Sequence, residues 1–216
     1  MLKYEKLVLG DMNTNCYLVW DEETKEGVVI DPADAGVEIV DEIQRLGIKV
    51  LSIIATHGHF DHMLGALDIK LMLNIPLAVH GADLFLVQRL GETAEHFLKR
   101  KIKVPNIKRI DIDMTRARAI RLGEFRLKVM KTPGHTPGGL CFYSPEAEFI
   151  ITGDMMFADG TVGETTHEYS SKKQMDASLQ SILELPNRVR VLPGHGEEMA
   201  IGDWRLSHQS YDHYLP

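Results

Sequence analysis

The stretch Thr56-His57-Gly58-His59-Phe60-Asp61-His62 constrains this chain more than any other. Three histidines and a carboxylate fall within six positions, directly after the apolar run Val50 to Ala55. Imidazole nitrogens and carboxylate oxygens suit zinc, iron or manganese, whereas calcium and magnesium prefer all-oxygen shells. The stretch therefore reads as part of a metal site delivered by the end of a buried strand, and not as surface histidines on a loop.

Four donors in one short loop do not close comfortably around a single ion, so further ligands are expected from other strand ends. Three candidates sit in glycine- or proline-flanked turns after apolar runs. They are His135 in Thr132-Pro133-Gly134-His135-Thr136-Pro137-Gly138, Asp154 in Thr152-Gly153-Asp154, and His195 in Pro193-Gly194-His195-Gly196.

Periodicity places these turns in a fold. Leu2 to Leu9, Cys16 to Trp20 and Gly27 to Ile30 read as a strand meander. Asp34 is expected to cap a helix that buries Val37, Val40, Ile43 and Leu46 and stops at Gly47. Val50 to Ile54 is a strand buried on both faces. A helix with a Leu64, Leu67, Leu71 and Met72 stripe follows from His62 to Leu73, then a strand at Pro76 to Val79. Asp83 to Lys103 reads as two helical pieces broken near Gly91, with a solvated basic end at Lys99-Arg100-Lys101. Strands resume at Ala117 to Ile120, Phe125 to Lys131, Leu140 to Tyr143 and Phe149 to Thr152. Helix Lys172 to Leu185, strand Val189 to Leu192 and helix Asp203 to Tyr214 close the chain. Two β-rich halves, each with helices, predict two sheets packed face to face beneath outer helix layers. With no short-period repeat and no long Pro/Gly/Ser linker, one domain over residues 1–216 is the simplest division.

The series THGHFDH, TPGHTPG, TGD and LPGHG, with Asn15-Cys16-Tyr17 and Ile30-Asp31-Pro32 before it, resembles the metallo-β-lactamase superfamily and, within it, the glyoxalase II-like hydrolases. The resemblance implies an α+β fold, a four-layer αββα sandwich with the active site at one edge of the paired sheets. It implies two divalent ions per chain, zinc first, with iron or manganese also accommodated. His57, His59 and His135 would bind one ion, Asp61, His62 and His195 the other, and Asp154 would bridge them. Asp31 matches a carboxylate that props the histidine loop; its alternative reading is a strand-end turn residue before Pro32.

Such a pair of ions leaves positions for water and substrate. Ions ~3.5–4 Å apart share one hydroxide, and coordination lowers a water's pKa from about 15.7 to about 7. A small thioester suits this chemistry, because a thiolate with a thiol pKa of ~8.5 leaves with little protonation. Asp61 is an alternative proton shuttle. Substrate contacts are expected from the segment after Asp154: Glu164, His167, Tyr169 and Lys172, with Met155, Met156 and Phe157 either lining an apolar pocket or packing in the core. Two features depart from glyoxalase II proteins. Glu164 follows Gly163 where they carry a base for the glutathione carboxylates, and little sequence follows His195 to form their C-terminal helical extension. A persulfide dioxygenase-like enzyme with one iron, or a lactone or ester hydrolase, is the alternative. A zinc β-lactamase is disfavoured, since the best-known ones place cysteine at the position of Asp154.

A net charge of −7 argues against a broad nucleic-acid-binding face. No stretch approaches the ~18 apolar residues of a spanning helix, and the N-terminus carries no apolar leader, so a cytoplasmic protein without membrane partners, monomer or homodimer, is expected. Cys16 and Cys141 read as core thiols. The segment from Trp204 to Leu215 is expected to cover the chain's own core, a partner subunit being the alternative. His80, His96, His208 and His213 have no motif context.

Overall fold

The computed structural model describes residues 1–104 and 107–212. β1 (Leu2–Leu9), β2 (Thr14–Asp21) and β3 (Glu26–Ile30) form the expected antiparallel meander. α1 (Gly36–Leu46) then crosses over to β4 (Lys49–Ile54), which lies parallel to β3. α2 (Ala66–Leu73) leads to β5 (Leu77–Val79). α3 (Leu84–Val87) and α4 (Leu90–Leu98) precede β6 (Ile112–Asp113), and both strands extend the sheet in parallel. The second sheet begins with an antiparallel run of β7 (Ala119–Leu122), β8 (Phe125–Lys131), β9 (Leu140–Ser144) and β10 (Phe149–Gly153). α5 (Lys172–Leu183) crosses to β11 (Arg190–Pro193), parallel to β10, and the short β12 (Met199–Ala200) runs into α6 (Ile201–Asp212). Among the described residues each sheet has six strands, in the orders β1-β2-β3-β4-β5-β6 and β12-β11-β10-β9-β8-β7.

Side-chain alternation along β2 explains the layering. Successive residues of a strand point to opposite faces, and every residue of β2 is buried. Cys16, Leu18 and Trp20 pack with Ile39, Val40 and Ile43 of α1 and Ala66 and Ile69 of α2. Tyr17 and Val19 point the other way, into a cluster with Phe142, Phe149 and Ile151 of the second sheet. A third cluster joins Cys141, Ile150 and Val191 to Met175 and Ile182 of α5 and Trp204 of α6. Three apolar interfaces between four layers make the αββα sandwich. Cys16 and Cys141 are buried free thiols in different interfaces, and Trp204 packs in the chain's own core, as expected.

Several local expectations are corrected. Asp34 does not cap α1: the position belongs to Ala35, in the left-handed region, and Val37 is 55% exposed while Gly36, Ile39, Val40 and Ile43 are buried. Gly47 does terminate that helix, taking φ 66° and donating back to Gln44 and Ile43 carbonyls. The stretch after His62 is not one helix. A single tight turn at Phe60–His62 precedes α2, whose buried residues are Ala66 and Ile69, and Leu71 and Met72 face solvent. The helical pair breaks at Gln88-Arg89, not at Gly91, because buried Leu90 starts α4. α4 stops at Leu98, before the basic triplet. Strand β6 and strand β12, two residues each, had no periodicity to announce them. Tyr214, His213 and the end of the expected last helix lie outside the described residues. No described helix is long and apolar enough to cross a membrane.

The corrected face of α2 is testable. Ile69→Ala should lower the unfolding free energy by about 2–5 kcal/mol, whereas Leu71→Ala, at 70% exposed, should stay within about 0.5 kcal/mol. Urea denaturation of both variants measures the contrast; equal losses would contradict it.

Candidate metal centre

All the motif residues lie where strands end. β3, β4 and β5 run parallel, β10 and β11 run parallel, and β8 points the same way as β10 across antiparallel β9. Their C-terminal ends therefore gather at one edge of the sandwich. Asp31 follows β3, the histidine loop follows β4, His135 follows β8, Asp154 follows β10 and His195 follows β11. The two sheets are tied together at that edge by Leu140 N–H donating to the Thr56 carbonyl (2.8 Å) and Asn15 N–H to the Gly194 carbonyl (2.7 Å). Gly153, at φ 51°, allows the close approach: a Cβ there would lie 2.3 Å from Thr56 Oγ1.

Each of five imidazoles is held by its outward nitrogen. His57 Nδ1 lies 3.0 Å from Thr56 Oγ1, and His59 Nε2 2.9 Å from the Tyr169 hydroxyl. His62 Nδ1 donates to Asp31 Oδ2 (2.9 Å), His135 Nδ1 to the Glu164 carbonyl (2.7 Å), and His195 Nδ1 to the Met12 carbonyl (3.2 Å). With the outer nitrogen protonated, the inner one keeps a lone pair for a cation. His59 thus presents Nδ1 and the other four present Nε2.

The inner atoms converge. His57, His59 and His135 bring ligand atoms within 4.8 Å of one another, as do His57, His62 and Asp154, and again Asp61, His62 and His195. His59 Nδ1 and His135 Nε2 stand 3.0 Å apart. Asp154 Oδ1 lies 3.4 Å from His62 Nε2 and 3.7 Å from His195 Nε2, while its Oδ2 lies 3.6 Å from His135 Nε2. Asp61 Oδ2 lies 3.2 Å from His195 Nε2 and accepts from the Thr14 hydroxyl (3.3 Å). His57 Nε2, His62 Nε2 and Asp154 Oδ1 are buried without a hydrogen-bond partner. Buried polar atoms normally find partners, and a divalent cation among them would satisfy all three at once. The residues present fit such an ion.

Protonation follows the same geometry. Burial, together with the neighbouring His62 and His59, holds His57 well below the usual imidazole range, and burial with His135 pushes His59 down to about 3. Burial opposes charging His62 as well, but Asp61, Asp154 and Asp31 outweigh it and push that ring well above its usual range. Burial also works against ionising Asp154, yet His62, His57 and His195 hold it well below the carboxylate range. The centre is thus anionic at its carboxylates, and a cation held there would take the place of the His62 proton.

Asp31 does both things expected of it. It sits at the strand end with φ 53°, a left-handed value uncommon outside glycine, and it props the loop. Its Oδ1 accepts Thr56 N–H (2.6 Å), and its Oδ2 accepts the Thr56 hydroxyl (2.7 Å) besides His62. Asn15 secures the far side, its Nδ2 donating to the carbonyls of Pro193 (2.9 Å) and Gly196 (3.0 Å), and Tyr17 Oη donates to Pro193 as well (2.8 Å).

The profile of the metallo-beta-lactamase superfamily matches residues 9–195, which include every residue of this cluster. The chain belongs to the metallo-beta-lactamase superfamily. Among the superfamily's curated members it is 29% identical to the hydroxyacylglutathione hydrolase GloC of Haemophilus influenzae, over 89% of this chain and 90% of that one. Among solved structures it is similar to BLEG-1 B3 metallo-beta-lactamase, with TM-score 0.84 and 27% identity over 93% and 95% of the two chains. It is also similar to TTHA1623 in a di-iron-bound form, with TM-score 0.81 and 32% identity over 94% and 98%. The superfamily is one of metallo-hydrolases, in keeping with a centre of this donor set.

The four expected substrate contacts separate in this superfamily site. Tyr169 touches the cluster through His59, and His167 stacks on Tyr169 with ring centroids 5.0 Å apart. Glu164 reaches the centre through its backbone carbonyl while its side chain turns to Thr166. Lys172 is exposed and pairs with Asp176 one helical turn on, so the structure does not bring it to the cluster. Met155 and Met156 pack in the core behind the site, and Phe157 lies beside His195, ring centroids 6.3 Å apart.

Sequence reasoning missed Asp83. The pattern marks it only as a helix start, yet its buried carboxylate accepts Gly58 N–H (2.9 Å), the Thr136 hydroxyl (2.7 Å) and Gly138 N–H (2.6 Å). Burial pushes this carboxyl above the ordinary range, against the lowering effect of those three donors. Its position after the short strand β5 was the one available signal.

Asn15→Ala would take its donor from the Gly196 carbonyl and leave the Pro193 carbonyl to Tyr17 Oη. It should lower the unfolding free energy by about 1–3 kcal/mol, read by urea denaturation of the metal-free protein. No change would contradict the role given to Asn15.

Proposed function

We propose that this protein is a metal-dependent hydrolase of small thioesters, similar in reaction class to hydroxyacylglutathione hydrolases. The observation that carries the reading is Asp154, whose two oxygens face opposite halves of one cluster of His and Asp side chains. In this reading His57, His59 and His135 hold one ion, Asp61, His62 and His195 hold the second, and Asp154 serves both. When bound, two divalent ions supply water activation near neutral pH and polarisation of a carbonyl. Zinc, iron and manganese all suit the donors, and the di-iron form of TTHA1623 gives iron support beside zinc.

The chain's own residues confine and orient. Tyr169, against His59, forms the inner wall of a groove of about 590 Å³ bordered by Phe85, Leu86, Arg89, Phe97 and His167. An arm of the substrate lies along this groove, leaving the scissile carbonyl beside His59. A thiolate leaving group needs little protonation, so Asp61, beside Thr14 and His195, stays with the second ion.

The groove also bears on which thioester is used. Among its described lining residues Arg89 is the one Lys or Arg, and it already lies 3.3 Å from Glu92, with Glu168 also at the wall. Glu164 is exposed nearby in sequence. A glutathione arm with two carboxylates meets mostly like charge, whereas a neutral apolar arm finds Phe85 and Phe97. The similarity to GloC supports the thioester class; the lining favours an uncharged arm.

A second reading, β-lactam hydrolysis, rests on the similarity to BLEG-1. One comparison separates the readings: kcat/KM for an aromatic acyl thioester of a neutral thiol, for S-lactoylglutathione and for a β-lactam. The proposal expects the neutral thioester to be favoured at least tenfold over both others. Turnover of the β-lactam alone would overturn it. Asp154→Ala, which removes a donor from both halves, should reduce hydrolysis to background and lower the ion content found by elemental analysis. Full activity with two bound ions in that variant would refute the shared role of Asp154.

A further inference from the structure

We propose that Asp83 is a positioning residue that serves one half of the metal centre, the His57, His59 and His135 half, and not the other. Its three hydrogen bonds draw together the two loops that supply this half. Gly58, which donates to Oδ2, stands between His57 and His59, and Thr136, which donates to the same oxygen, follows His135 directly. Gly138 N–H closes the second loop onto Oδ1. None of these bonds reaches Asp61, His62 or His195, which depend on Asp31, Thr14 and the Met12 carbonyl.

The packing is as specific as the bonding. A Cβ at Gly58 would lie 3.0 Å from the Asp83 Cβ, and one at Gly138 would lie 2.6 Å from the Asp83 carboxylate. Backbone and carboxylate are thus pressed together at two glycines, one in each loop. A carboxylate accepts at both oxygens, and all three partners are donors. Asparagine has the same shape but offers one acceptor and one amide. Whichever way it turns, its NH2 meets the N–H of Gly58 or of Gly138, so one loop loses its hold while the fold keeps its volume.

This inference rests on the two-ion reading of the centre. The test is stepwise binding of Co²⁺, followed by its visible absorption in competition with a chelator, in the wild type and in Asp83→Asn. His135→Ala and His195→Ala identify which binding step belongs to which half. Supporting residues around metal ligands are worth about 10–100-fold in affinity. Asp83→Asn should therefore weaken by about that factor the step that His135→Ala removes, and leave the His195 step within about twofold. Thr136→Val, which deletes one arm and is easily accommodated, should weaken the same step by less. If Asp83→Asn does not fold, Thr136→Val carries the test alone. A folded Asp83→Asn that changes neither step, or weakens both equally, overturns the proposal, as does a Thr136→Val that leaves both steps unchanged. Wild-type protein that takes up fewer than two ions overturns instead the two-ion reading on which it stands.

Discussion

The centre depends on hydrogen bonds made by the wrong end of each histidine. Five imidazoles are pinned at their outward nitrogens by Thr56, Tyr169, Asp31, Glu164 and Met12, and this alone decides which nitrogen faces inward with a free lone pair. A cluster of imidazoles around two carboxylates would otherwise scatter toward water. Here the orphaned His57 Nε2, His62 Nε2 and Asp154 Oδ1 are buried without a hydrogen-bond partner, a demand that a cation among them would meet.

The sandwich exists to hold those pins in register. Three apolar interfaces fix two sheets so that the strand ends bearing Asp31, the histidine loop, His135, Asp154 and His195 arrive at one edge. Buried carboxylates then do the fine placement. Asp31 connects the ends of β3 and β4 and orients His62, and Asp83 joins the histidine loop to the loop after β8. Both would be costly if unpaired; each accepts three hydrogen bonds.

The sequence made the candidate ligands, which the structure gathers in one cluster, stand out because they are chemically odd: histidines and aspartates in glycine-rich turns after apolar runs. It made the layers legible because a strand buried on both faces, such as β2, carries an apolar run, Cys16 to Trp20. Helix faces were harder. Leu71, Met72 and Val37 look like core residues to a periodicity argument, yet tertiary packing turned them outward and buried Ile69 and Ile39 instead. Strands of two residues carry no period at all. Asp83 was invisible for a different reason: its partners, Gly58 and Gly138, are 25 and 55 residues away, and one aspartate before a helix resembles any other. Arg89 and Phe97 gained meaning only once the groove brought them near Tyr169.

The most direct test of the central claim is anomalous diffraction at the zinc edge from crystals of the protein loaded with zinc. The account predicts two peaks, one among His57, His59 and His135, the other among Asp61, His62 and His195, with Asp154 touching both. A single peak, or two with Asp154 bound to neither or to one alone, would contradict it.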